Sequence, residues 1–202
     1  MRFLPHLFAN NRAWAIQQTQ RDPGFFERLC ALQKPDYLWI GCSDSRVPAN
    51  EIVGLIPGEL FVHRNIGNVV RQDDPNCLSV VQYAVDFLHV CHVIVAGHYN
   101  CGGVQAALGP ATPGPLEGWI APIRSLRQAH ARELALLPDD SARWQRLCEL
   151  NVMDQVRVLA SLPTIVQAWQ RGQALAIHGW IYDLHNGLLR DLGVSVNSAS
   201  TP

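Results

Sequence analysis

No run of apolar residues in this chain approaches the ~18 that would suggest a membrane span, and a helical membrane protein is not expected. Charge is scarce: Asp, Glu, Lys and Arg make up 16% of the residues and the formal net charge is −1. That balance offers no electrostatic case for nucleic acid or for an anionic membrane surface. No internal repeat and no low-complexity stretch is visible, which excludes solenoids and repetitive scaffolds. Six cysteines among 202 residues are too few for a disulfide framework. The start, Met1-Arg2-Phe3-Leu4-Pro5-His6, is broken by proline and then turns polar, unlike a secretory signal. A cytoplasmic location with reduced thiols is therefore expected. What remains is a chain with 48% hydrophobic residues, long enough for one domain with a sizeable core.

Strand and helix patterns alternate along it. Four short apolar, β-rich segments read as strands: Tyr37–Ile40, Leu60–His63, Val90–Ala96 and Ala174–Trp180. Helical spacing runs from Asp74-Pro75 to His89 and from Ser141 to Leu162. His185-Asn186-Gly187 is a turn signal between Ile181–Leu184 and Leu188–Leu192, which would add an antiparallel edge strand. The expected fold is α/β: a mostly parallel sheet of four strands plus that edge strand, flanked by helices. Residues 1–34 read as a helical arm, placed to pack on a partner subunit, within a single domain spanning 1–202. Gly109–Pro115 reads as a surface loop and Asn197–Pro202 as a disordered tail. Cys30, Cys77, Cys91 and Cys148 sit in apolar contexts and are expected to be small buried hydrophobes.

Two motifs stand at the ends of predicted strands. Tyr37-Leu38-Trp39-Ile40-Gly41 leads into Cys42-Ser43-Asp44-Ser45-Arg46, and Val93-Ile94-Val95-Ala96-Gly97 leads into His98-Tyr99-Asn100-Cys101. Two such strands in one parallel sheet would deliver both to the carboxyl edge, where open α/β sheets build their sites. Two thiolates, one imidazole and one carboxylate suit a tetrahedral zinc ion. Arg46 could hold the Asp44 carboxylate off the metal or release it, so the fourth position can be open or closed. A purely structural zinc site with Asp44 as permanent ligand is the alternative.

Three segments together carry a family resemblance: Trp39 to Pro48, Gly58-Glu59-Leu60-Phe61-Val62-His63-Arg64-Asn65, and Gly97-His98-Tyr99-Asn100-Cys101-Gly102-Gly103. They resemble the β-class carbonic anhydrases, of the bacterial kind. The resemblance implies a zinc enzyme with one Zn2+ per subunit, interconverting carbon dioxide and bicarbonate through zinc-bound hydroxide. It also implies a homodimer or homotetramer with sites at the subunit boundary. Cys42, His98 and Cys101 would hold the metal, with Asp44 joining them only in a closed state. Asp44, held by Arg46, would otherwise accept the hydroxide hydrogen bond. Two thiolates cancel the charge of the ion, so an alkaline activity limb is expected. By the same resemblance Gln33, Phe61, Ile66, Tyr83 and Gly102 would line the carbon dioxide pocket, some of them from the partner subunit. His63, His178 and His185 are expected to be structural unless they face the site.

One regulated subtype binds a second, inhibitory bicarbonate through residues of the types found at Trp39, Arg64 and Tyr182. An indole N–H, a guanidinium and a phenol can surround an oxyanion. Bicarbonate there would displace the Val47 region, break the Asp44–Arg46 pair and let Asp44 close onto zinc at low pH. Two other readings stay open on these residues: hydrolysis of carbon disulfide or carbonyl sulfide at the same metal, and a catalytically silent bicarbonate-binding zinc protein.

Overall fold

The computed structural model describes residues 3–31 and 33–200. They fall into two compact units, residues 1–34 and 35–202. In the first, helix α1 (Pro5–Arg21) starts on a proline, whose missing N–H costs nothing at that position. Helix α2 (Phe25–Ala31) follows the turn at Asp22, whose carboxylate accepts from the Gly24 N–H. Trp14 meets Phe25 and Phe26 edge to face.

The second unit is built on a sheet in the order β2-β1-β3-β4-β5. Strands β1 (Tyr37–Cys42), β2 (Leu60–Asn65), β3 (His92–His98) and β4 (Ala176–Asp183) are parallel, and β5 (Leu188–Asp191) returns antiparallel on β4. This is the expected architecture, with two differences. Of the tail expected to be disordered, Asn197 instead pairs, in β6 (Val196–Asn197) running antiparallel to Ala176 and Ile177, and Ser198–Ser200 forms a 3-10 turn; Thr201 and Pro202 lie outside the described residues. The strands also run further than their apolar stretches, so that Cys42 and His98 are the last ladder residues of β1 and β3. Gly41 permits this in β1, because a Cβ there would meet the Trp39 indole nitrogen at 2.3 Å.

Most helices of this unit cover one face of the sheet, and α3 (Ala49–Val53), which follows β1, packs on the other. Helix α4 (Pro75–Gln82), capped by the Asp74 carboxylate on the Asn76 N–H, runs into a π turn at Tyr83–Phe87. After β3 come α5 (Gly102–Leu108), α6 (Pro115–Ala129), α7 (Ala131–Ala135), α8 (Asp140–Ala160) and α9 (Pro163–Gln170). Leu38, Ile40, Val93, Val95, Ile177 and Ile181 are fully buried on the helix-covered face. The long helix α8 lies across β3 and β4. It comes so close that a Cβ on Gly97 would stand 2.4 Å from Val152, one residue before His98. A smaller apolar cluster, Trp39, Ala49, Leu60, Ile94 and Ala96, occupies the opposite face. The expectation of four buried cysteines holds for Cys77 and Cys148 but not for Cys30 or Cys91, which are exposed. At Cys91 the backbone is engaged, bonding Asp36 and Ala176 as β3 begins, while the thiol is left to solvent.

Candidate metal centre

Strands β1 and β3 are adjacent and parallel, so their carboxyl ends lie side by side. Cys42 ends one and His98 the other. Asn100 takes the left-handed conformation (φ 57°), which Asn tolerates, and turns the chain so that Cys101 caps α5. The ligating atoms of Cys42, His98 and Cys101 all lie within 4.8 Å of one another, and all three residues are buried. The two sulfurs are 3.8 Å apart. Thiolates ~2.3 Å from a tetrahedral zinc would stand at about that separation.

The histidine is set for a metal. Its Nδ1 faces the Tyr99 carbonyl at 2.9 Å, which assigns the proton to Nδ1 and leaves Nε2 as a lone pair. That Nε2 is buried and has no hydrogen-bond partner, a costly arrangement unless a ligand completes it. The sulfurs are prepared as well. Cys42 faces the Cys101 thiol and the N–H groups of Gly67 and Asp44, and its pKa is depressed well below a normal thiol. Cys101 is pushed the other way, mainly by its bond to Cys42 and by burial. Two thiols thus share a site that favours one negative charge by itself and needs a cation to hold two. These donors fit Zn2+.

Asp44 lies beside this group, its Oδ2 3.8 Å from His98 Nε2. Both its oxygens face Arg46: Oδ1 takes the Arg46 backbone N–H and Nε, each at 2.9 Å, and Oδ2 takes Nη2 at 2.6 Å. Arg46 holds the carboxyl far below the usual carboxylate range, so Asp44 is ionised and acceptor-only. Arg46 also donates to the Asn100 carbonyl at 3.3 Å, joining the two motifs. A pocket of about 280 Å3 opens over the centre, lined by Cys42, Ser43, Asp44, Ile66, Gly102, Gly103 and Leu116. Gly103 must be small, since a Cβ would meet Ile66 at 2.7 Å.

The other expected residues are divided. Ile66 and Gly102 line the pocket. Phe61 and Tyr83 do not: they pack together at 5.8 Å, and Tyr83 stacks on Phe87 at 5.4 Å, in a cluster exposed beside the free edge of β2. Gln33 belongs to the other unit. Trp39 is buried over Gly41, and Val47 is buried in the turn that its N–H closes onto the Asp44 carbonyl. Arg64 donates to the carbonyls of Cys42 (2.8 Å) and Asp44. Tyr182 is on β4, two strands from β1, and among the described residues no hydrogen bond or ring contact joins it to Trp39 or Arg64. His178 bonds His92 at 3.1 Å and Ser195 at 3.0 Å, and His185 bonds Asp183.

Sequence reasoning missed two things. The first is Leu116, a pocket wall brought in by α6. The second is the polar side of α8. Trp144 Nε1 donates to the Cys101 carbonyl at 3.0 Å, Glu149 accepts from Tyr99 Oη at 2.6 Å, and Asn151 Nδ2 donates to the Gly67 carbonyl at 2.8 Å. A signal existed: Asn151 and Gln155 interrupt the apolar stripe of the helix, and buried amides need polar partners.

A second group has similar ligating atoms: His63, Asp74 and Cys77, also within 4.8 Å of one another. Here the surroundings argue against a metal. Asn65 takes the Val69 N–H on Oδ1 and gives Nδ2 to the Val69 carbonyl, both at 2.8 Å, which assigns its amide. The amide nitrogen therefore also donates to His63 Nε2 at 3.1 Å. The His63 proton sits on Nδ1, and ligation there would drive it onto Nε2 against another N–H.

The family model for carbonic anhydrase matches residues 37–189. A carbonic anhydrase of Emericella nidulans is 49% identical over 188 residues, covering 93% of this chain and 82% of that protein. One from Pseudomonas aeruginosa is 36% identical, over 80% of this chain and 75% of that protein. The fungal protein is nearer than the bacterial one, which corrects the expectation of a bacterial kind. A tetrameric β-carbonic anhydrase of the ascomycete Sordaria macrospora superposes with a TM-score of 0.91 at 40% identity, covering 95% of this chain and 98% of that one. With the motifs at two adjacent strand ends and the match running through both, the chain belongs to the β-class carbonic anhydrase family.

Proposed function

We propose that this chain catalyses the reversible hydration of carbon dioxide to bicarbonate and a proton on one Zn2+ per subunit, held by Cys42, His98 and Cys101. The observation that carries the reading is the buried, unpartnered His98 Nε2 beside two sulfurs 3.8 Å apart. Zinc, when bound, lowers the pKa of a coordinated water and so supplies a nucleophile near neutral pH. Asp44, ionised and beside the ligand group, would accept a hydrogen bond from the attacking oxygen and orient it. Arg46, through three hydrogen bonds, engages both Asp44 oxygens and fixes the carboxylate in that place. Ile66, Leu116 and the Gly102 and Gly103 backbone give carbon dioxide an apolar wall. The test is carbon dioxide hydration by the zinc-loaded protein, as kcat/KM from about pH 6.5 to 9.5. A rise with pH is expected; zinc-loaded protein inactive across the range would refute the reading.

The proposal extends to assembly, location and regulation. The exposed Tyr83 and Phe87, with the half-buried Phe61, lie beside the outer edge of β2, and a second copy of the chain would cover them. A homodimer or homotetramer would then share pocket residues between subunits. A cytoplasmic location suits a site that needs Cys42 and Cys101 reduced. Bicarbonate inhibition is supported by Arg64, whose bonds to the Cys42 and Asp44 carbonyls tie the Asp44–Val47 turn to β2. An anion that recruited Arg64 would free that turn and let Asp44 close on the metal. If Trp39→Phe and Tyr182→Phe leave bicarbonate inhibition and the pH profile unchanged, this regulation is absent.

A further inference from the structure

The segment Ile66–Val70 makes a sharp turn through Gly67 and Asn68, both left-handed at φ 76° and 48°, a conformation these two residue types tolerate. What pins the turn in place comes from α8. Asn151, fully buried, donates Nδ2 to the Gly67 carbonyl at 2.8 Å. Gln155, 1% exposed, accepts the Val70 N–H at 2.8 Å and steadies Asn151 by donating to its Oδ1 at 3.1 Å. Trp119 Nε1 ties the near end through the Ile66 carbonyl at 2.7 Å. The Gly67 N–H shares its peptide with the Ile66 carbonyl that Trp119 holds, while Asn151 holds the following peptide, and with Gly67 fixed from both sides its N–H meets Cys42 Sγ at 3.5 Å.

We propose that Asn151 and Gln155 are positioning residues for the metal centre: by clamping this segment they fix the Gly67 N–H on the Cys42 sulfur and set how strongly that thiolate donates to the ion. This rests on the reading of Cys42, His98 and Cys101 as metal ligands. A hydrogen bond to a ligating sulfur withdraws electron density from it, and partners outside the ligand shell tune metal affinity. The same clamp places Ile66, so the pocket wall and the thiolate are adjusted by one pair of amides.

The test compares wild type with Asn151→Leu, which removes the donor at similar volume, and with Val156→Ala, an apolar truncation on the same helix. Each is loaded with cobalt to read the thiolate-to-metal charge-transfer band, and with zinc to read its release to a chromogenic chelator. Asn151→Leu is expected to move the band to lower energy and, because the sulfur left without its N–H is more basic and is protonated more readily, to speed zinc release about 10-fold. Val156→Ala is expected to lower the Tm and leave both unmoved. A band and release rate like wild type in Asn151→Leu, with only the Tm lowered, would overturn the proposal. Should that variant not fold, Gln155→Leu is read the same way. Gln155→Glu, whose buried carboxyl stays protonated and keeps both bonds, should restore wild-type values. A wild-type protein that takes up no metal would defeat the metal reading itself, a result distinct from unchanged release in the variants.

Discussion

Two groups in this molecule hold ligating atoms of nearly the same kind at the same spacing: Cys42, His98 and Cys101 at the ends of β1 and β3, and His63, Asp74 and Cys77 between β2 and α4. Composition and proximity do not separate them. The next ring of atoms does. The Tyr99 carbonyl draws the proton of His98 to Nδ1 and leaves Nε2 bare toward the sulfurs. His63 also carries its proton on Nδ1, but the Asn65 amide donates to its Nε2 and so already occupies the lone pair that His98 keeps free. Cys42 is surrounded by donors that favour its thiolate, whereas burial pushes the Cys77 thiol up to about 12. Asp44 is gripped by an arginine, whereas Asp74 caps a helix. A metal site is thus recognised by which way its neighbours point their protons, and the second group is packing with a cap.

The largest expected effect comes from ligand removal. Cys42→Ser or His98→Asn should weaken zinc binding by more than the ~100-fold that follows loss of an outer partner, and hydration should vanish with the metal. His63→Asn and Cys77→Ser should keep one zinc per chain and nearly full activity. Zinc content by atomic spectroscopy beside stopped-flow hydration decides this. Metal lost from the Cys77→Ser protein would erase the distinction.

Next in size is Asp44→Asn. It keeps the shape and the metal but cannot offer an ionised acceptor or hold Arg46 through two charged oxygens. A fall in kcat/KM of ~100-fold is expected, in the range of a positioned acid–base group, with zinc content unchanged. Full activity would mean that Asp44 only shapes the turn. The matching change in the other group, Asp74→Ala, should leave activity alone and remove a helix cap. That costs about 1 kcal/mol, or ~2–4 °C in the Tm of a domain this size.

How much of this could be read from the sequence follows from the range of the interactions. The strands, their parallel order and the two motifs were legible, because apolar runs and glycines next to Cys, His and Asp are local signals. The ends of β1 and β3 were not, since Gly41, Cys42, Gly97 and His98 are in the ladder only because neighbouring strands continue beside them. Nor was the α8 clamp: Asn151 is 84 residues from the carbonyl it holds. Phe61 and Tyr83 were placed by resemblance in a pocket which, within one chain, they do not line. Tyr182 was grouped with Trp39 and Arg64 by resemblance alone; β3 lies between its strand and β1.

The smallest effect separates the two groups by the direction of their pH sensitivity. Protons compete with zinc for Cys42, His98 and Cys101, so the metal centre fails as pH falls. Cys77 works the other way. Its folded pKa, about 12, lies above the ordinary thiol value of 9.0 because burial disfavours the thiolate. The unfolded chain therefore loses this proton first. The stability Cys77 contributes is complete below the unfolded value and declines as pH rises toward the folded one. For a single group this amounts to roughly 0.7 kcal/mol between about pH 8.5 and 9.5. Cys148, held up to about 12 by its burial, adds a similar slope. Cys77→Ala should remove one share, so its denaturation midpoint should decline less steeply over that range while zinc release in acid stays as in wild type. An alkaline slope unchanged in Cys77→Ala would mean that Cys77 is already ionised in the folded protein. The second group would then hold a thiolate after all, and the contrast with the metal centre would narrow to the proton on His63.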